Sequence, residues 1–84
     1  MWNQLIKQKL YQILEQRNID GKTISLAVGR EASWFSQFRT NRRTRIDLDT
    51  DVVPILDYLG IDTKKFLAEI IYEQSQQELR QIFA

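Results

Sequence analysis

The sequence predicts an all-α fold of five helices, the last of them extended. Three observations carry this. Apolar residues recur at three- and four-residue spacing through most of the chain, the period of a helix with one buried face. No segment alternates with the two-residue period of a strand. The strongest chain breakers, Asp20-Gly21, Gly29 and Gly60, divide the sequence into helix-length pieces joined by short connections.

Residues 2–17 form the first helix, with Trp2, Leu5, Ile6, Leu10, Ile13 and Leu14 on one stripe. Lys7, Gln8, Gln12, Glu15 and Gln16 are expected on the other side. Asn18 stops this helix, and Asp20 caps a second over 22–28. Gly29 takes the left-handed conformation that ends a helix at low cost, and a third helix follows over 31–39. Ile24 and Val28 share a face on the second helix, Phe35 and Phe38 on the third. Ser25 is small enough for the two to approach closely. Residues 40–48 read as a polar loop, with Asn41 in a left-handed conformation at its start.

The fourth helix is expected to begin near Asp49–Asp51, capped at Thr50 or Asp51. Pro54 argues for that start, because the amide that proline lacks has no partner in a first turn. Val52, Val53, Leu56 and Leu59 supply its buried face. Gly60 ends it, and Asp62 or Thr63 caps a fifth helix over about 63–83. Phe66, Leu67, Ile70 and Ile71 suffice to seal the domain. Leu79, Ile82 and Phe83 lie beyond a polar stretch at 73–78. Leaving them exposed is unfavourable, so they are expected to meet a second copy of the chain or to fold onto the first helix near Trp2.

At 84 residues the chain is one domain, and at 43% hydrophobic it has enough apolar residues for a core. Cysteine and histidine are both absent. That excludes disulfide frameworks, zinc fingers, and thiolate or histidine catalysis. With no phosphate-binding glycine loop either, an enzyme is not expected, nor is a cofactor or a small-molecule ligand. Asp47, Asp49 and Asp51 lack the glycine and further oxygen ligands of a calcium loop, and capping explains them better than a metal does. No apolar run approaches the roughly 20 residues of a membrane span, and the start of the chain lacks a signal-peptide layout. A cytoplasmic protein without membrane contact is the expectation.

The net charge is only +1, but its distribution is uneven: five of the seven arginines fall between Arg30 and Arg45. Outward positions on the third helix are Ala32, Ser33, Ser36 and Gln37, all small or able to hydrogen-bond. Arg39, Arg42, Arg43 and Arg45 follow. Small polar residues beside arginines suit a helix that enters a DNA major groove, where side chains read base edges and arginines neutralise phosphates.

The segment 23–38, with its turn glycine at Gly29, buried Phe35 and Phe38 and small Ser25, resembles the DNA-binding domain of the Cro/phage-repressor (lambda-repressor-like) helix-turn-helix family. Leu56-Asp57-Tyr58-Leu59-Gly60-Ile61 is similar to the ending of that family's fourth helix. The resemblance covers roughly three-quarters of the chain, from the first helix to Ile61. The family often has an acid and a glycine after its third helix, where this chain has Arg39-Thr40-Asn41. The resemblance implies a single domain over 1–84 with its helix-turn-helix core at 21–40. It implies base contacts from Ala32, Ser33 and Gln37, with Trp34 at the rim, and phosphate contacts from Ser36, Arg39, Arg42, Arg43 and Arg45. It further implies a repressor that occludes a palindromic double-stranded DNA operator as a homodimer, with Leu79, Ile82 and Phe83 as candidate dimer contacts. Two alternatives remain open: the antitoxin of a toxin–antitoxin pair, and a protein-interaction adaptor that keeps the fold without binding DNA.

Overall fold

The apolar stripe that opens the sequence becomes helix α1, Trp2–Gln16, in a computed structural model that describes residues 2–40 and 45–83. Leu10 and Leu14 are buried on its inner face, and so is Ile6. Lys7 departs from expectation. It is only 3% exposed, with its ammonium 5.6 Å from the centre of the Phe38 ring. The segment that carries Phe38 covers this side of α1. The lysine stem is therefore buried while its charge meets an aromatic face.

Three helices stop in the same way. After α1, Asn18 turns left-handed (φ 61°), and the Ile19 N–H donates to the Leu14 carbonyl at 2.9 Å. After α2 (Gly21–Ala27), Gly29 has φ 78° and the Arg30 N–H reaches the Ser25 carbonyl at 2.9 Å. After α4 (Val53–Leu59), Gly60 has φ 72° and the Ile61 N–H reaches the Leu56 carbonyl at 2.9 Å. Each is a Schellman closure, which satisfies carbonyls that the helix end leaves without partners. The expected stops at Asn18, Gly29 and Gly60 are all present. Asn41 lies outside the described residues.

The third helix is shorter than the sequence suggests. Helix α3 is regular only over Ser36–Thr40, not 31–39. Residues 31–35 form a tighter turn in which the Trp34 N–H bonds the Glu31 carbonyl at 2.9 Å. The cause is a competing acceptor. The Phe35 N–H, which in a regular helix would bond Glu31, donates instead to the Ser25 hydroxyl oxygen at 3.0 Å.

The fourth helix also starts differently. A π-turn over Leu48–Val52 runs directly into α4, and its cap is Asp47 rather than Thr50 or Asp51. The Asp47 carboxylate accepts the Asp49 and Thr50 N–H groups at 3.0 and 3.1 Å, and the Asp47 N–H donates to Asp51 at 2.8 Å. Pro54 gives a physical reason for the wide turn. It cannot donate to the Thr50 carbonyl four residues back, and its ring would press on that carbonyl in a tight α-turn. Val52, Ile55 and Leu56 are fully buried, while Val53 is only half-buried.

Helix α5, Thr63–Phe83, has the expected length, and Asp62 caps it by accepting the Lys64 N–H at 3.2 Å. Phe66 and Ile70 close the core and Leu67 is half-buried, but Ile71 faces outward at 52% exposure. Helix α5 runs beside α1, joined to it by Lys9 paired with Glu73 at 2.6 Å and Glu69 at 3.6 Å. The hydrogen bond to Glu73 raises the Lys9 pKa above its ordinary value. Leu79 and Ile82 do not seal against α1; they are 46% and 73% exposed. The described residues thus form five α-helices around one core. None of these helices is long and apolar enough to cross a membrane.

Candidate functional site

The segment from Ser25 to Thr40 is held by its back and presents its front. Ser25, fully buried, is the hinge pin. Its hydroxyl donates to the Gly21 carbonyl at 2.6 Å and accepts the Phe35 N–H at 3.0 Å, so one side chain ties the first turn of α2 to the start of the next segment. Phe35 and Phe38 are buried behind, with ring centres 6.0 Å apart in an edge-to-face arrangement. Tyr11 of α1 meets Phe35 edge-on at 5.1 Å. Burial pushes the Tyr11 phenol above its ordinary pKa, and Arg39 pulls the other way from 5.7 Å over the ring.

With the apolar side committed, Ala32, Ser33, Ser36 and Gln37 all point outward, and Arg39 and Thr40 are exposed beside them. Ser36 donates its hydroxyl to the Ser33 carbonyl at 2.8 Å, which leaves its oxygen lone pairs for an outside donor. A cleft of about 340 Å³ adjoins Gln37, bounded by Gly29, Arg30, Glu31 and Trp34. Of the sequence-derived base-contact positions, Ala32, Ser33 and Gln37 are therefore exposed. Arg45 is exposed where the chain resumes after the third helix. Arg42 and Arg43 lie outside the described residues.

Trp34 is half-buried. Its ring packs edge-on against Phe38 at 5.2 Å and tilted against Phe35 at 6.3 Å. It sits at the rim of the outward surface, with part of its area spent on internal packing.

Arg30 went unassigned in the sequence and has the most connected position. Its guanidinium lies 5.1 Å from the Trp34 ring centre, 3.4 Å from the Asp51 carboxylate and 3.5 Å from the Thr50 carbonyl. Thr50 is the carbonyl that Pro54 leaves without its helical donor. One side chain thus links the turn, the aromatic rim and the start of α4. The available signal was an arginine directly after a turn glycine with a tryptophan four residues on. Asn3 was also missed. Its side-chain amide pairs with the backbone of Ile46, donating to the carbonyl at 2.9 Å and accepting the N–H at 3.3 Å. Asp47 and Asp51 are occupied as caps; two backbone donors hold the Asp47 carboxyl below its usual pKa, with Arg45 nearby adding to the effect. No family model matches the chain, and no curated protein or solved structure matches it either.

Proposed function

We propose that this protein binds double-stranded DNA in a sequence-dependent way, with the segment 31–40 entering the major groove. The observation that carries this reading is the division of labour along that segment. Phe35, Phe38 and the Ser25 bond lock its back, while Ala32, Ser33, Ser36 and Gln37 face outward next to exposed Arg39. Glutamine pairs through both amide atoms with the major-groove edge of adenine, and small neighbours let the backbone come close enough for it to do so. Arginines beside such a segment contact phosphates and set affinity without reading sequence. Repression by occlusion is the simplest consequence, because a protein seated in the major groove at an operator blocks that stretch of duplex to other proteins.

Selection of bound duplexes from a random pool tests the reading. A consensus sequence bound with steep salt dependence supports it. Equal binding to all duplexes, or none at low salt, overturns it.

A further inference from the structure

A cleft of about 440 Å³ opens where α1, the start of α2 and α3 meet, and it shares no residue with the cleft beside Gln37. Its apolar lining is Leu14 and Phe35, each 3% exposed, with the half-buried Tyr11 ring edge-on to Phe35. Two opposite charges border it, Glu15 from α1 and Arg39 from α3, and both are exposed. Among the described residues, neither takes part in an ion pair. The Tyr11 hydroxyl oxygen is buried and has no hydrogen-bond partner among them either. Buried polar groups left in that condition are unfavourable and uncommon. Gly21 completes the opening. Its backbone does not need a glycine, since its φ is not left-handed, and a Cβ there would stand 3.5 Å from Phe35 Cδ1, an ordinary contact. What the missing side chain provides is room beside Phe35.

We infer that this cleft binds a small zwitterion with an aromatic body, the chemistry of a free aromatic amino acid. Arg39 holds the carboxylate, because its planar fork matches two oxygens. Glu15 holds the ammonium. Leu14, Phe35 and the Tyr11 ring cover the aromatic side chain, and the Tyr11 hydroxyl gains the partner it lacks. An aromatic acid alone would leave Glu15 beside an anion, and an aromatic amine alone would leave Arg39 beside a cation; a zwitterion answers both. The volume lies within the roughly 300–1,000 Å³ of small-ligand sites, which combine apolar walls with a few polar groups. The walls come from three separate elements, so no spacing along the chain announces the site. Arg39 also stands on the outward surface of 31–40. On the DNA reading of that surface, ligand and phosphate compete for one guanidinium. The cleft itself is tested without DNA, so either reading can fail alone.

The test titrates the full chain with L-phenylalanine, phenylpropionate and phenethylamine, followed by amide NMR. Phenylalanine should shift the amides of Tyr11, Leu14, Glu15 and Phe35. It should bind roughly three- to tenfold more tightly than phenylpropionate, which lacks the ammonium, or phenethylamine, which lacks the carboxylate. Glu15→Gln should weaken phenylalanine binding by about the same factor and leave phenylpropionate no weaker. Tyr11→Phe should be at least as stable as wild type, having lost a stranded hydroxyl, yet bind phenylalanine more weakly. Gly21→Leu should fill the cleft and abolish binding, with circular dichroism checking that its helix content is kept. Phenylalanine that fails to saturate the wild type at millimolar concentration overturns the inference. So does equal affinity for all three probes, or undiminished binding by a folded Gly21→Leu.

Discussion

Ser25→Ala removes one oxygen atom and, on this structure, strands a buried N–H. The hydroxyl accepts the Phe35 N–H at 3.0 Å in a fully buried setting and donates to the Gly21 carbonyl at 2.6 Å. The Gly21 carbonyl keeps its place in the first turn of α2 and loses little. The Phe35 amide keeps no acceptor, since the nearby Glu31 carbonyl already takes the Trp34 N–H at 2.9 Å. A buried donor left unpaired costs about 1–3 kcal/mol. In a domain of this size each kcal/mol corresponds to a fall in Tm of roughly 4–8 °C. Thermal and urea denaturation followed by circular dichroism would measure the loss. Amide exchange would locate it, with the Phe35 N–H losing protection ahead of the rest of the core. A variant as stable as wild type, with more helix rather than less, would refute the reasoning. It would mean that Phe35 rebonds to Glu31 and the third helix extends to the length the sequence suggested.

Gln37→Ala should lose discrimination at one base position by about 1–3 kcal/mol, while binding to unrelated duplexes changes little; competition binding with single-base variants of the selected site reads this directly. Arg39, Arg42, Arg43 and Arg45 replaced singly by alanine should each lower the log–log salt slope by about 0.9 if that residue meets a phosphate, and an unchanged slope removes that arginine from the interface. Asp20 has its pKa lowered by hydrogen bonds from the Thr23 side chain and backbone N–H, and Asp47 has its pKa lowered chiefly by the Thr50 backbone N–H. Their contribution to stability is therefore full above the unfolded carboxyl value of about 4 and is lost as pH falls through the lower folded value. Asp47→Asn should keep the cap at neutral pH and show a shallower loss of urea midpoint between pH 5 and pH 2, to about the extent that Asp47 contributes.

Features set by local chemistry could be read from the residues. Gly29 and Gly60 stop helices because a left-handed residue is needed there, and Asp20 and Asp62 cap because their side chains reach N–H groups two or three residues on. The features set by competition between distant parts could not. The third helix is shortened by a serine ten residues upstream, and spacing within 31–39 carries no trace of that acceptor. Pro54 was read as a first-turn residue and stands in the first turn of α4, but the π-turn that precedes it left no trace in the spacing. Ile71 falls within the apolar stripe of α5, yet the elements beside α5 leave it uncovered. Lys7 looked like a solvated residue because nothing local shows that Phe38 will lie over it. On the candidate site, the outward positions 32, 33, 36 and 37 were legible because Phe35 and Phe38 fix which way the segment faces. The role of Arg30 was not, since Asp51 lies twenty-one residues away.

The pairing of Asn3 with Ile46 has a consequence for how this domain tolerates change in length. The third helix fixes the chain up to Thr40, and Ile46 is anchored to α1 by two hydrogen bonds and by its own burial. The connection between these two anchors can therefore be lengthened without moving either one. Doubling such a connection costs only about 0.6 kcal/mol in closure entropy. Insertions at 41–44 should be among the mildest in the molecule. The same extra residues placed between Gly29 and Phe35 would pull the Phe35 amide away from Ser25 and take apart the turn.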